Sequence, residues 1–274
     1  MRILFIGDIF GRPGRDIAQR AIPALVSSHD IDLVVANVEN SAAGFGVTGD
    51  IAETILKAGV DVMTSGNHIW DKKEVLEYIP RQPKLLRPAN FPAGAPGRGT
   101  WIGKTRHGDA AAVVNVMGRV FMAPLDDPFA VVLREIEAAK AKTRVVIVDF
   151  HAEATSEKVA MGWHLDGRVT AIFGTHTHVQ TADERVLPKG TAYITDVGMT
   201  GPHDSIIGVT VEAALGRFVN GMPSKFEAAS GGARINAIVI TADSATGRAT
   251  AIERINLSAA DVDSLAVESL AKDA

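Results

Sequence analysis

Short apolar runs that alternate with amphipathic stretches constrain the fold of this 274-residue chain more than any other feature. Residues 2–7 (RILFIG) read as a buried strand, and residues 32–38 (DLVVANV), 61–65 (DVMTS) and 144–150 (RVVIVDF) repeat the pattern. Helices are predicted between the first three and after the third. One starts at about Pro13, with Ile17, Ala21, Ala24, Leu25 and Ser28 on one side, and Pro23 predicts a kink or early break in it. A second is capped by Thr48 and closed by Gly59, and a third opens on Asp71 and Glu74 and ends at Pro80. Residues 80–99 hold prolines 80, 83, 88, 92 and 96 and glycines 94, 97 and 99, the composition of an irregular loop. We read it as a surface or active-site loop within one domain spanning 1–274.

Alternation resumes beyond that loop. Further strands are expected near 100–104, 111–117, 169–173, 191–195 and 206–210, with a strand pair at 234–241 and 248–255. Helices are expected near 128–142, 156–163 and 211–219, and 260–274 as a weakly ordered tail. The order predicts a three- or four-layer α/β fold. In such folds ligands sit beyond the carboxyl ends of the strands.

Polar residues gather at those ends. The successive strands run into Gly7-Asp8, Glu39-Asn40, Gly66-Asn67-His68, His151, and Gly174-Thr175-His176-Thr177-His178. Packing requires no polar residue at all five ends, so together they mark a site. Individually each has a blander reading. Asp8 is the right residue to cap the Pro13 helix, Gly66-Asn67 to make a turn, and Asp71 to cap its helix rather than orient His68. His151 with Asp149 fits a half-buried ion pair, and His-x-His a pair of loop imidazoles. In the other reading Glu39 offers two oxygens to a pair of cations, Asn67 an amide oxygen, and the imidazoles nitrogen. His203, in a glycine-rich turn, is a lesser candidate for the site lining, and His29, His107 and His164 are read as surface or structural.

Composition narrows the chemistry. Without cysteine there is no disulfide framework, thiolate metal site or cysteine nucleophile. Against 28 Lys and Arg stand 32 Asp and Glu, a net charge of −4 that disfavours general nucleic-acid binding. No run approaches the length of a membrane span, and the N-terminus lacks a secretory pattern, so we expect a cytoplasmic protein with no membrane partner. Residues 44–49 (GFGVTG) match the dinucleotide fingerprint, but residues 39–43 separate them from the strand end and the next strand runs into Ser65-Gly66-Asn67 instead of an acidic ribose reader. A dinucleotide-dependent oxidoreductase is therefore a remote alternative.

The ordered set of Gly7-Asp8, Glu39-Asn40, Gly66-Asn67-His68, His151 and Gly174-x-His176-x-His178 resembles the calcineurin-like metallophosphoesterases, and specifically their YmdB-like family of bacterial phosphodiesterases. The likeness spans nearly the whole chain. The sequence departs from the wider superfamily at Phe10, where Asp-x-His would place a histidine, and at Glu39, which replaces a bridging Asp. The resemblance implies a single-domain α/β/β/α sandwich and a dinuclear centre of iron, with manganese or zinc suited to the same donors. Carried over residue by residue, it implies that Asp8, Glu39, Asn40 and His178 hold one metal. Glu39, Asn67, His151 and His176 would hold the other, with Glu39 bridging. It further implies that a metal-bound hydroxide attacks phosphorus in line and that His68 protonates the leaving oxygen. The implied substrate is a small-molecule phosphodiester of the 2′,3′-cyclic nucleotide kind. A regulatory nucleotide or protein binder of the same fold is the alternative, and a homo-oligomer is left open.

Overall fold

The structure of the protein, a computed structural model, describes residues 1–223 and 225–272. In chain order, β1 (Arg2–Ile6) and the two-residue β2 (Asp8–Ile9) lead into α1 (Gly11–His29). β3 (Leu33–Asn37), α2 (Gly49–Lys57), β4 (Val62–Thr64) and the single-turn α3 (Val75–Tyr78) follow. Beyond the proline-rich loop come β5 (Thr100–Lys104), β6 (Ala110–Met117), α4 (Pro128–Lys140), β7 (Val146–His151), α5 (Thr155–Leu165) and β8 (Ala171–Thr175). The last elements are β9 (Arg185–Val186), β10 (Ala192–Ile194), β11 (Met199–Pro202), α6 (Val211–Asn220), β12 (Ala233–Asp243), β13 (Arg248–Ser258) and α7 (Ala259–Lys272).

Two sheets form. One has the order β2-β11-β12-β1-β3-β4, with β13 paired to β12, and the other β5-β6-β7-β8-β10-β9. β1, β3 and β4 are parallel, as are β6, β7, β8 and β10, so both sheets direct several carboxyl ends the same way along their own strands. Side chains alternate across each strand. Ile3, Phe5, Leu33 and Val35 meet Val113, Ile147 and Phe173 between the sheets, where the Phe5 and Phe173 ring centroids are 4.0 Å apart. Leu4, Ile6, Val34 and Ala36 turn the other way onto Ile17, Ala21 and Leu25 of α1. On the far side Val114, Val116 and Val148 pack on Val132 and Ile136 of α4 and Met161 of α5. These three apolar interfaces make four layers, α/β/β/α, and each fully buried Leu, Ile or Phe contributes about 1.5–3 kcal/mol. Among the described residues no helix is long and apolar enough to cross a membrane.

Several expectations change. Pro23 neither ends nor shortens α1, because it lies on the exposed face, where its missing N–H leaves a carbonyl to solvent. Asp8 caps nothing: it belongs to β2, and the N-cap of α1 is Phe10. The helix expected between Asp71 and Pro80 shrinks to one turn, since the Asp71 carboxylate is engaged by His68 instead of capping. Residues 206–210 form a tight turn closed by an Ile206–Val209 bridge, and the strand lies earlier, at β11. The stretch read as a tail is α7, seated on α1 through buried Val262. Its start is a capping box: Ser258 N–H donates to Asp261 Oδ2 at 2.8 Å, and Asp261 N–H to Ser258 Oγ at 3.2 Å. Residues 273–274 of that stretch lie outside the described residues.

Candidate active site

All eight residues singled out at the strand ends meet at one place. β3 delivers Glu39 and Asn40, the end of β4 delivers Asn67 and His68, β7 ends on His151, β8 runs into His176 and His178, and β2 begins at Asp8. Local geometry forces some of the sequence. A Cβ on Gly66 would lie 2.2 Å from His151 Nε2 and 2.5 Å from Glu39 Oε2, so a side chain there would occupy the site itself. His176 and His178 both have positive φ, 99° and 65°. Such backbone costs about 1–3 kcal/mol per residue and persists only where neighbours over-determine it.

The neighbour here is Asp196. Its buried carboxylate accepts from Thr177 N–H at 3.2 Å and Thr177 Oγ1 at 2.7 Å, and from Gly198 N–H at 2.8 Å. Lys158 Nζ, buried with it, donates to the same carboxylate at 2.6 Å. Neither residue was a candidate from sequence.

The imidazoles are oriented by their second nitrogens. His178 Nδ1 donates to the Ile207 carbonyl at 2.9 Å, which leaves Nε2 as the lone pair. His176 Nε2 stands 3.0 Å from Glu153 Oε2, which leaves Nδ1. Thr175 Oγ1 donates to Asp149 at 2.7 Å and so receives His151 Nδ1 at 2.8 Å. Asp149, further held by Thr64 Oγ1 and Asn37 Nδ2, thus steers His151 through Thr175.

Three acceptors then converge on His151 Nε2: Asn67 Oδ1 at 3.0 Å, Glu39 Oε1 at 3.1 Å and His176 Nδ1 at 3.1 Å. One N–H cannot serve three lone pairs. Glu39 Oε1 also receives Asn40 Nδ2 at 3.2 Å, and Asn40 Nδ2 lies 3.1 Å from His178 Nε2. Glu39 is therefore where two groups of donors meet. Asp8 Oδ2 accepts the His176 N–H at 3.1 Å, while its buried Oδ1 has no hydrogen-bond partner.

The proton affinities record a shortage of positive charge. Burial pushes the Asp8 carboxyl well above its usual range; His151 opposes this and the Glu39, Asp196 and Asp149 carboxylates add to it. Burial also works against ionising Glu39, but the charge and hydrogen bond of His151, with help from His68, take it down to about 2. Burial alone would lower His151, yet Glu39, Asp8 and Asp149 raise it to about 9. Burial and the nearby His151 take His176 down to about 3, and burial lowers His178, so both are neutral and fit to ligate. Asp149 rises to about 6 through burial. Glu39, His151 and His176 each present a donor atom within 4.8 Å of the others. An orphaned buried carboxylate oxygen and a surplus of lone pairs in an O/N donor set fit a cation of the iron, manganese or zinc kind.

Outside the cluster His68 Nδ1 pairs with Asp71 Oδ2 at 2.8 Å, and its N–H donates to Glu39 Oε2 at 3.1 Å. His68 lines a cavity of about 740 Å3 together with Glu39, Asn40, His176 and His178. His203 does not line it: its Nε2 bonds the Met199 carbonyl at 3.1 Å. The glycines of residues 44–49 are explained by close packing. A Cβ at Gly44, Gly46 or Gly49 would approach Phe10, Lys72 or Tyr78 within 2.8, 2.9 or 2.8 Å. That removes the observation on which a dinucleotide site rested.

Two stacked sheets whose strand ends converge on carboxylate, amide and imidazole donors define the layered sandwich of the metallophosphoesterase fold. Within it the chain belongs to the YmdB-like family, whose model, described as YmdB-like protein, matches residues 4–255. It is 50% identical over 255 residues to a Bacillus subtilis (strain 168) protein named 2′,3′-cyclic-nucleotide 2′-phosphodiesterase, covering 93% of this chain and 96% of that one. A crystal structure of a hypothetical protein from Thermus thermophilus superposes with a TM-score of 0.88 at 45% identity, covering 94% of this chain and 99% of that one. A Mycoplasma pneumoniae structure described as a novel phosphatase gives 0.88 at 36% identity, covering 94% and 93%.

Proposed function

We propose that this chain is a dinuclear metal-dependent phosphodiesterase that opens 2′,3′-cyclic nucleotides. The observation that carries the metal is the meeting of three acceptors on His151 Nε2 beside the buried Asp8 Oδ1, which has no hydrogen-bond partner. The substrate is taken from the name of the Bacillus subtilis relative. Asp8, Glu39, Asn40 and His178 would hold one cation, and Glu39, Asn67, His151 and His176 the other, with Glu39 shared. Asn40 now presents its NH2 to Glu39 and His178, so its ligation requires the amide oxygen.

When bound, the two cations supply Lewis-acid activation of water and charge neutralisation at the phosphoryl group. The residues do the rest. Glu39 and Asp8 bring the negative charge that retains the cations in a chain of net charge −4. Asp71 holds His68 by Nδ1, leaving Nε2 to give a proton to the departing oxygen, a role worth roughly 10²–10⁴ in rate. Thr175 and Asp149, Glu153, and Ile207 fix the three ligand imidazoles in the tautomers that ligation needs.

The test is metal analysis of the purified protein paired with a panel of phosphodiesters. We expect bound iron, manganese or zinc and hydrolysis of a 2′,3′-cyclic nucleotide. Less than one such metal per chain after reconstitution, with no diester cleaved, would sink the reading. Tight nucleotide binding without turnover would mark a regulatory binder instead.

A further inference from the structure

The cavity has two unlike ends. One is the polar cluster. The other is an apolar wall of Phe45, Ile206, Ile207, Val209, Phe218 and Phe226, with Arg217 the sole lysine or arginine among the described residues that line the cavity. Its volume of about 740 Å3 lies within the range of small-molecule sites.

The wall is built by two loops far apart in sequence. Gly44 and Gly46, at φ 96° and 76°, flank Phe45 in a turn that places its ring edge-on to His68, with centroids 5.0 Å apart. Gly221, at φ 66°, ends α6. The irregular segment before β12 is pinned by Thr210 N–H to the Glu227 carbonyl at 2.9 Å and by Ala229 N–H to the Gly208 carbonyl at 2.8 Å. Phe226 is thereby stacked on Phe45, at 6.3 Å between centroids and 25° between planes. The Arg217 guanidinium sits 5.0 Å over the Phe226 ring. Phe226 keeps 36% of its surface exposed, and Phe218 keeps 79%.

Aromatic rings that line the cavity next to the donor cluster, with a guanidinium over one of them, match the π-face and ring acceptors of a nucleobase. We infer that Phe45 and Phe226, with Arg217, form the platform on which the base of the substrate stacks while the cluster engages its phosphodiester. This rests on the phosphodiesterase reading above and deepens it. Stacking reads every base by its π-face, so the platform favours nucleotides over base-free diesters without demanding one base. It also gives the turn at residues 44–46 a purpose: Gly44 and Gly46, at positive φ, let Phe45 stand beside His68.

The test compares 2′,3′-cyclic AMP, GMP, CMP and UMP with a methyl ribofuranoside 2,3-cyclic phosphate, which has no base, on the metal-loaded enzyme and on Phe226→Ala and Phe45→Leu. Calorimetry with adenosine 3′-phosphate and ribose 5-phosphate runs alongside. We expect the wild type to prefer all four nucleotides. Phe226→Ala should shrink that preference on the order of tenfold, mostly through KM, the size of one lost base–aromatic stack. Equal losses on both substrate types, or no wild-type preference, would overturn the platform. If no diester is cleaved at all, the phosphodiesterase reading falls. The platform then stands only if adenosine 3′-phosphate binds better than ribose 5-phosphate and Phe226→Ala abolishes the difference, and it falls otherwise.

Discussion

Glu153 Oε2 stands 3.0 Å from His176 Nε2, and the opposite nitrogen of that ring, Nδ1, faces the donor cluster 3.1 Å from His151 Nε2. The carboxylate therefore decides which nitrogen of His176 carries the proton. Loss of such an orienting partner typically costs 10- to 100-fold in metal affinity. Glu153→Ala should weaken metal retention on the order of tenfold in competition with a chelator. Glu153 is half exposed, so the fold should be unaffected, and unchanged metal affinity would show that the pair is incidental.

His68 offers a cleaner separation of roles. It touches Glu39 only through its backbone N–H, and its ring is held by Asp71. In His68→Ala, metal content should persist while kcat falls at least about tenfold, and by up to about 10⁴ for a leaving group that needs protonation. A diester with an acidic phenol as leaving group should lose much less. Loss of metal from this variant would make His68 a ligand.

Gly66→Ala tests the packing around Glu39 and His151. The added methyl would meet the His151 ring at 2.1–2.2 Å and Glu39 Oε2 at 2.5 Å, and both buried side chains are held on other sides by Thr175, Asn67 and the His68 backbone N–H. We expect bound metal and activity to fall to background while the circular dichroism spectrum is retained. Normal metal content would mean that the ends of β4 and β7 separate more easily than their buried packing implies.

Much of this site was legible because a parallel strand has a polar end. Asp8, Glu39, Asn67, His151 and His176 each follow an apolar run, and the layered fold does the work of bringing those ends together. What escaped was whatever depends on tertiary pairing. Lys158 lies on a helix and reads as a surface cation, yet the fold buries it against Asp196, 38 residues later. Phe226 follows α6, and nothing local relates it to Phe45, 181 residues earlier. Asp71 reads as a cap because capping is its common local use, whereas His68 three residues before it takes the carboxylate. At the chain end Ser258-x-x-Asp261 was a readable start signal, but a stretch of small and acidic residues concealed that Val262 has a place in the core.

The cluster's demand for positive charge carries a stability prediction. Without metal, a proton on His151 must balance Glu39, and Asp8 Oδ1 has no hydrogen bond and only the His151 ring at 4.0 Å to balance it. A cation that binds the folded state stabilises it by mass action, by about 2.7 kcal/mol at a hundredfold excess over its Kd. Adding manganese to chelated protein should therefore raise Tm in a concentration-dependent way. Magnesium, which prefers oxygen donors and keeps its waters, should do so less. Equal shifts with both ions, or none, would argue against an imidazole-containing metal site.

The Lys158–Asp196 pair makes the last prediction, because it supports the strained His-Thr-His turn from beneath. Both side chains are at most 2% exposed, and Nζ lies 2.6 Å from Oδ2. Removing one member of a buried pair strands the other charge and costs about 3–5 kcal/mol, against at most about 1 kcal/mol for an exposed pair. Lys158→Met should lower the urea-derived stability by the larger amount. Lys158→Met with Asp196→Asn should recover part of it, since a neutral amide can remain buried. Metal affinity should not recover in the double variant. Thr177 N–H and Oγ1 both donate to the Asp196 carboxylate, and an amide that keeps one acceptor oxygen holds the residues at φ 99° and 65° less firmly. Full recovery of both stability and metal affinity would show that the turn is fixed by its ligand histidines alone.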